Sequence, residues 1–319
     1  MEINKIIKSI EDSRVIGITF HTSPDGDSLG SALGLLLALR KLNKKAYIIS
    51  KEKLPLTFDF LPCSKEIDGN VSEALPLTDI VIALDCGNTD RLNWNCNIDD
   101  LNFKLLNLDH HLSNSHYGDI NYVDSSKASV GEIIYALIKE LQIPIDKDIA
   151  MCLYTSILTD TGGFRHSNTT KNTHSIASEL VEFDIKFSDI YRIIYEDKKY
   201  SRVKLQGKVI EKLHLYHDNK ICVMEVTKDM LGSVNEENSD TSDLISIGMS
   251  IDEVEIAVLF KEGDEGTKVS LRSKFDYDVR KLAELFGGGG HTKAAGLYLK
   301  KPIEEAKLIV LSTIEKGMI

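Results

Sequence analysis

Short apolar runs that each stop at a carboxylate or an imidazole constrain this 319-residue chain more than any other feature. The run at 15–20 leads into His21-Thr22-Ser23-Pro24-Asp25-Gly26-Asp27, that at 79–84 stops at Asp85, and that at 103–108 stops at Asp109-His110-His111. A further strand is expected at 46–50. Helical spacing follows at 28–42, 130–141 and 146–158, the last delivering Thr159-Asp160. Strands interleaved with helices argue for βαβ units and a mostly parallel sheet covered on both faces. In such sheets functional groups gather beyond the carboxyl ends of the strands, where these Asp and His residues fall.

Taken alone, each group has an ordinary reading. Asp25-Gly26-Asp27 suits a surface turn capping the next helix, with Asp27 or Ser28 as N-cap and Gly26 allowing an unusual backbone turn. A His-His pair by itself is a surface or core accident. Four element ends carrying such groups toward one sheet edge change the reading, because carboxylates held that close repel one another without a cation. Oxygen and imidazole donors without thiolates suit Mn²⁺ or Mg²⁺ better than structural zinc. The five cysteines are scattered, with no Cys-x-x-Cys, and are read as reduced and mostly buried.

Charge and hydropathy exclude other classes. The net charge of −11 weighs against electrostatic grip on long nucleic acid, whereas a small phosphorylated ligand needs only a local cation site. No apolar run approaches the roughly 20 residues of a membrane span. Met1-Glu2-Ile3-Asn4-Lys5 lacks the order of a secretion signal, so a cytoplasmic protein without membrane contact is expected.

The segments His21-x-x-Pro24-Asp25-Gly26-Asp27, Asp85, Asp109-His110-His111 and Asp160 occur in the order of the DHH phosphoesterase superfamily, which the chain resembles. Gly287-Gly288-Gly289-Gly290-His291-x-x-Ala294-Ala295-Gly296 resembles the signature of the DHH-associated domain, so the likeness spans about residues 15 to 300. Within the superfamily the chain is similar to the compact nanoRNase and pAp phosphatase branch, which includes hydrolases of cyclic di-AMP and of pApA. The resemblance implies a first metal on His21, Asp25 and Asp85, and a second on Asp27, bridging Asp85, His110 and Asp160. Asp109 would orient a neighbouring imidazole and His111 would face the substrate phosphate. Two divalent cations are implied, Mn²⁺ first, with Mg²⁺ or Co²⁺ as alternatives. The family often dimerises, so a homodimer is an expectation.

The second half changes character. Strands expected at 221–226, 254–260 and 268–272, with helices at 278–286 and 303–316, suggest a smaller α+β domain. The expected division is a DHH domain at 1–187, a linker at 188–203 and a substrate-binding domain at 204–319, with the active site in the cleft between them. Gly287–Gly290 fails the P-loop spacing and reads as a tight loop whose N–H groups approach an anion or base. Gly288, Gly289, Gly290 and, by resemblance, His291 are candidate substrate contacts. Arg272 reads by itself as an exposed strand-end Arg, and the resemblance implies that it clamps a substrate phosphate. Arg165 and His166, in the loop after Asp160, are further candidates for phosphate and substrate.

The function expected is hydrolysis of very short RNA or DNA oligonucleotides and pApA to mononucleotides, with 3′-phosphatase action on pAp. The alternatives are a cyclic di-AMP phosphodiesterase and a nucleotide-binding regulator without turnover.

Overall fold

The computed structural model describes residues 2–236 and 241–318. The chain divides into two units, Met1–Asp197 and Lys198–Ile319.

The first unit runs α1 (Glu2–Asp12), β1 (Val15–Thr19), α2 (Gly26–Lys41), β2 (Lys45–Ile48), β3 (Ile80–Leu84), β4 (Lys104–Asp109), β5 (Ile120–Val123), α3 (Val130–Glu140), α4 (Lys147–Asp160), α5 (Lys171–Val181) and α6 (Phe187–Tyr191). Its five strands are parallel, in the order β2-β1-β3-β4-β5. Alternation in β3 explains the layers. Ile80, Ile82 and Leu84 join the core under the helices, while Val81 and Ala83 turn to the other face. That second face is closed by loop residues such as Trp94, Leu101, Phe103 and Tyr117 rather than by helices. The helices expected to flank the sheet therefore gather on one side, where α2 is buried almost all round.

The chain order reverses between β1 and β3, which places the topological switch point at their carboxyl ends. Crevices for ligands form at such points. Phe20-His21 follows β1 and Asp85 follows β3.

The second unit contains α7 (Tyr200–Glu211), β6 (His214–Tyr216), β7 (Ile221–Val226), α8 (Lys228–Gly232), α9 (Ile245–Met249), β8 (Ile256–Glu262), β9 (Thr267–Ser273), α10 (Val279–Glu284), β10 (Gly289–His291), β11 (Ala294–Leu299) and α11 (Ile303–Met318). Its sheet, β10-β11-β9-β8-β7-β6, is antiparallel except for the β7–β8 pair. Helical residues cover both faces, with Leu282 and Val310 on one and Leu205 and Ile245 on the other. Much of the expected linker, 188–203, is helical: α6, a π-turn at Arg192–Glu196 and the start of α7.

The run Gly287–Gly290 is not a free loop. Gly289–His291 pairs with Ala294–Gly296 as the outer strand of a hairpin. A Cβ on Gly288 would lie 2.3 Å from the Gly296 carbonyl, and one on Gly290 would lie 2.4 Å from that of Ala294. The glycines are there for close backbone approach, and Gly290 also holds φ +143°.

Candidate metal centre

Asp25 is the N-cap of α2, accepting from the N–H groups of Asp27 and Ser28. This corrects the expectation that Asp27 or Ser28 caps the helix, and it frees Asp27 to point inward. Gly26 is already helical and has no positive φ. Its reason is space, since a Cβ there would come within 2.4 Å of Thr159 Cγ2 on α4. Asp27 is fully buried, and its carboxylate accepts from the N–H groups of Val130 and Gly131 and from Ser156 Oγ. The start of α3 and the middle of α4 thus fix one carboxylate.

Asp85 leaves β3 with φ +53°, an uncommon conformation for a residue other than glycine. The departure turns its carboxylate into the middle of the cluster. His21 Nε2 lies 3.3 Å from Asp85 Oδ2 and 3.6 Å from Asp25 Oδ1. His110 Nε2 lies 3.7 Å from oxygens of Asp27, Asp85 and Asp160. These separations exceed the usual hydrogen-bond length. They approach the roughly 3 Å between neighbouring donors on one octahedral ion with bonds near 2.1 Å.

The other imidazole nitrogens set the tautomers. His21 Nδ1 is 2.9 Å from the Thr22 carbonyl and His110 Nδ1 is 3.1 Å from that of Lys127. A carbonyl only accepts, so each Nδ1 carries hydrogen and Nε2 is the nitrogen turned to the carboxylates, free to present its lone pair to a cation once its own proton leaves. Ligand atoms within 4.8 Å of one another form three groups: His21, Asp25 and Asp85; Asp27, His110 and Asp160; and Asp85, His110 and His111. Asp85 and His110 each belong to two groups.

Electrostatics shows what such a cluster favours. Asp27 is pushed well above the ordinary carboxylate range by burial and then by Asp85, Asp160 and Asp25. Asp160 rises to about 6, through burial first, which the opposing pull of His110 does not cancel, with Asp85 and Asp25 adding to the rise. Asp85 is raised mainly by burial. Burial alone would lower His21, but the carboxylates of Asp25 and Asp85 beside it raise it to about 10. Asp25 also feels burial, yet His21 takes it down to about 2. Asp85 Oδ1 is buried with no hydrogen-bond partner. A buried carboxylate oxygen without a partner is costly, and a divalent cation supplies the positive charge that the raised carboxylates Asp27, Asp85 and Asp160 call for. The residues present fit divalent-cation binding, in donor chemistry and in tautomer.

His111 stands at the rim, its side chain 42% exposed, with Nδ1 2.8 Å from Asp109 Oδ1. Fully buried Asp109 is held by the His110 and His111 N–H groups and by Asn114 Nδ2. His111 Nδ1 therefore carries hydrogen and Nε2 faces outward. Arg165 and His166 are exposed in the loop after Asp160, and the His166 ring packs against Gly162. In the second unit Arg272 is half-buried and in register with Ala294, and Ala294 in turn with His291. Directly opposed residues share a face, so Arg272 and His291 lie on one side of one rung. Gly288, Gly289 and Gly290 enter or belong to the outer hairpin strand.

Several positioning residues carry no sequence signal. Ser156 holds Asp27, Asn114 holds Asp109, and Asn168 Nδ2 reaches the Asp160 backbone and side chain and the Ala128 carbonyl. Neutral and far apart in the chain, they become visible only once the fold closes.

An α/β sheet with Asp and His side chains converging at its switch point defines a candidate metallohydrolase centre, and its sequence places it further. Residues 15–157 match the DHH family, N-terminal domain, and residues 218–316 match the DHHA1 domain. The chain belongs to the DHH family. It is 32% identical over 299 residues to the bifunctional oligoribonuclease and PAP phosphatase NrnA of Thermus thermophilus, covering 93% of this chain and 87% of that one. To the protein of the same name from Bacillus subtilis it is 31% identical, covering 92% and 91%. Among solved structures, an exopolyphosphatase-related protein from Bacteroides fragilis superposes with TM-score 0.89 at 29% identity, covering 99% of this chain and 96% of that one.

Proposed function

We propose that this chain is a cytoplasmic phosphoesterase that holds two divalent cations, Mn²⁺ first, and hydrolyses very short oligonucleotides to mononucleotides and the 3′-phosphate of pAp. The carrying observation is the buried, unpartnered oxygen of Asp85 between two histidine–aspartate groups. His21, Asp25 and Asp85 are assigned to one ion, and Asp27, Asp85, His110 and Asp160 to the other. Activities named for the relatives of similar length support the substrate class.

When bound, such a pair of cations polarises the phosphate and acidifies a water near neutral pH. The chain's own residues do the rest. Buried Asp109 keeps the hydrogen on His111 Nδ1 and raises the affinity of the ring for a second proton, its hydrogen bond outweighing burial. His111 Nε2 then donates to a phosphate oxygen or to the departing sugar oxygen. Arg165 and His166 are assigned to substrate near the Asp160 loop. Arg272 is half-buried and has no carboxylate partner among the described residues, which suits it to a substrate phosphate. His291 and the backbone of Gly288, Gly289 and Gly290 are assigned to the terminal nucleotide. No Ser or Cys nucleophile has a role, so no covalent intermediate is expected. No observation in the site favours the cyclic di-AMP reading.

A parallel assay on pAp, pApA, RNAs of two to six nucleotides and cyclic di-AMP, with Mn²⁺, tests this. Release of mononucleotides from the shortest RNAs and of phosphate from pAp, abolished by chelator, is the expected result. Cyclic di-AMP cut at least as fast as pApA would overturn it.

A further inference from the structure

Arg91 ends the turn Thr89–Arg91 downstream of Asp85, and nothing above gives it a role. Its backbone is fixed against the metal-binding segment. The Thr22 N–H donates to the Arg91 carbonyl at 2.7 Å, the Asn93 N–H donates to the Phe20 carbonyl at 2.8 Å, and His21 bridges to Leu92 between them. The guanidinium therefore starts from a fixed point beside His21, with one nitrogen 3.2 Å from His21 Nδ1.

That short approach is not a hydrogen bond. His21 Nδ1 already carries the hydrogen given to the Thr22 carbonyl, and a protonated ring nitrogen has no lone pair to accept an Arg N–H. Among the described residues no carboxylate forms an ion pair with Arg91, in a chain with 49 acidic and 38 basic residues. The exposed Arg91 guanidinium thus offers its planar donors beside the metal cluster with no acceptor among the described residues. Their position also separates them from the reacting phosphate. They lie behind His21, on its Nδ1 side, one imidazole ring away from the Nε2 that faces Asp25 and Asp85.

We propose that Arg91 binds a non-reacting phosphate of the substrate, forming a second anion subsite on the His21 side of the centre. This rests on the phosphoesterase reading and adds to it a reason why a substrate with two phosphates is preferred to one with a single phosphate. A planar guanidinium matches two oxygens of a phosphate at once, which an ammonium does not.

The test compares full-length wild type, R91Q and R91K on pAp and on p-nitrophenyl phosphate, which carries only the reacting phosphate. R91Q is expected to lower kcat/KM on pAp about tenfold relative to kcat/KM on p-nitrophenyl phosphate, mainly through KM, as loss of a charged hydrogen bond implies. R91K is expected to recover part of that selectivity. An unmoved ratio, with both substrates losing equally or neither losing, would overturn the proposal. Calorimetric binding of pAp with Ca²⁺ in place of Mn²⁺ separates the two readings. If wild type binds pAp with Ca²⁺ yet does not hydrolyse it when Mn²⁺ replaces Ca²⁺, the activity assignment fails, while the Arg91 subsite still stands or falls on whether R91Q weakens binding.

Discussion

Asp27 is tied to its surroundings in two ways that substitution can separate. Its carboxylate takes the first N–H groups of α3 and the Ser156 hydroxyl, and it also faces His110 Nε2. Asp27→Asn keeps an oxygen for the helix but removes the negative charge. We expect a loss of turnover of a hundredfold or more, since outer partners of metal ligands alone are worth about 10–100-fold, with circular dichroism unchanged. Asp27→Ala should show the same loss and also unfold more easily by about 1–2 kcal/mol, as uncapped helix N–H groups imply. Denaturant titration distinguishes the two, and full activity in either variant would sink the assignment of Asp27 to an ion. At His111, replacement by Asn should lower kcat by about 10²–10⁴ and leave metal binding largely intact, which steady-state kinetics and metal titration read separately. Asp85, His110 and Asp160 were legible because charged residues at element ends are conspicuous. Ser156, Asn114 and Asn168 were not, because a neutral side chain gives no hint of the charge it will serve.

The elements that carry these residues meet under tight steric terms. Helices α2 and α4 approach where a Cβ on Gly30 would lie 2.4 Å from the Cys152 carbonyl and 2.8 Å from the Ser156 nitrogen, both backbone atoms. Gly30→Ala should destabilise the first unit by about 1–3 kcal/mol. It should also weaken metal binding, because Ser156 must shift; calorimetry and thermal melts check both. The loop between His21 and Asp25 is held from outside. Ser23 has φ +56° and donates its N–H to Glu52 Oε2, while fully buried Asn93 donates to the same oxygen. Glu52→Ala is expected to loosen binding of the ion assigned to His21 and Asp25 about 10–100-fold, with Glu52→Gln recovering part of it. Equal metal affinity in all three proteins would contradict that role. Strands with buried β-branched runs, such as β3 and β7, were readable from their residues. The short edge strands β5 and β10 were not. Ile120–Val123 is only half-buried, and a glycine run has the composition of a loop. Register against a neighbouring strand, which no local pattern encodes, makes them strands.

The whole chain responds to cations through protons. In the metal-free protein Asp160 stands at about 6, Asp27 and Asp85 are also raised, and His21 is at about 10. Each holds its proton more tightly folded than unfolded, so folding is favoured at lower pH and stability falls as pH rises from about 4 toward 10. Asp25, lowered to about 2, works the other way, but only below about 4. The chelated protein should therefore melt at a lower temperature at pH 8 than at pH 6, and Mn²⁺ should raise the melting temperature more at pH 8. A higher melting temperature at pH 8 in chelator would refute this. The two units have separate cores, and the groups that set this pH dependence all lie in the first.

Stepwise addition of Mn²⁺ to chelated, desalted protein, followed by pAp turnover and bound metal at each step, tests the centre most directly. A shared Asp85 between two ligand groups predicts two ions per chain, with turnover lagging the first equivalent and rising with the second. A single ion per chain at full activity, or turnover that persists in chelator, would contradict the two-ion centre.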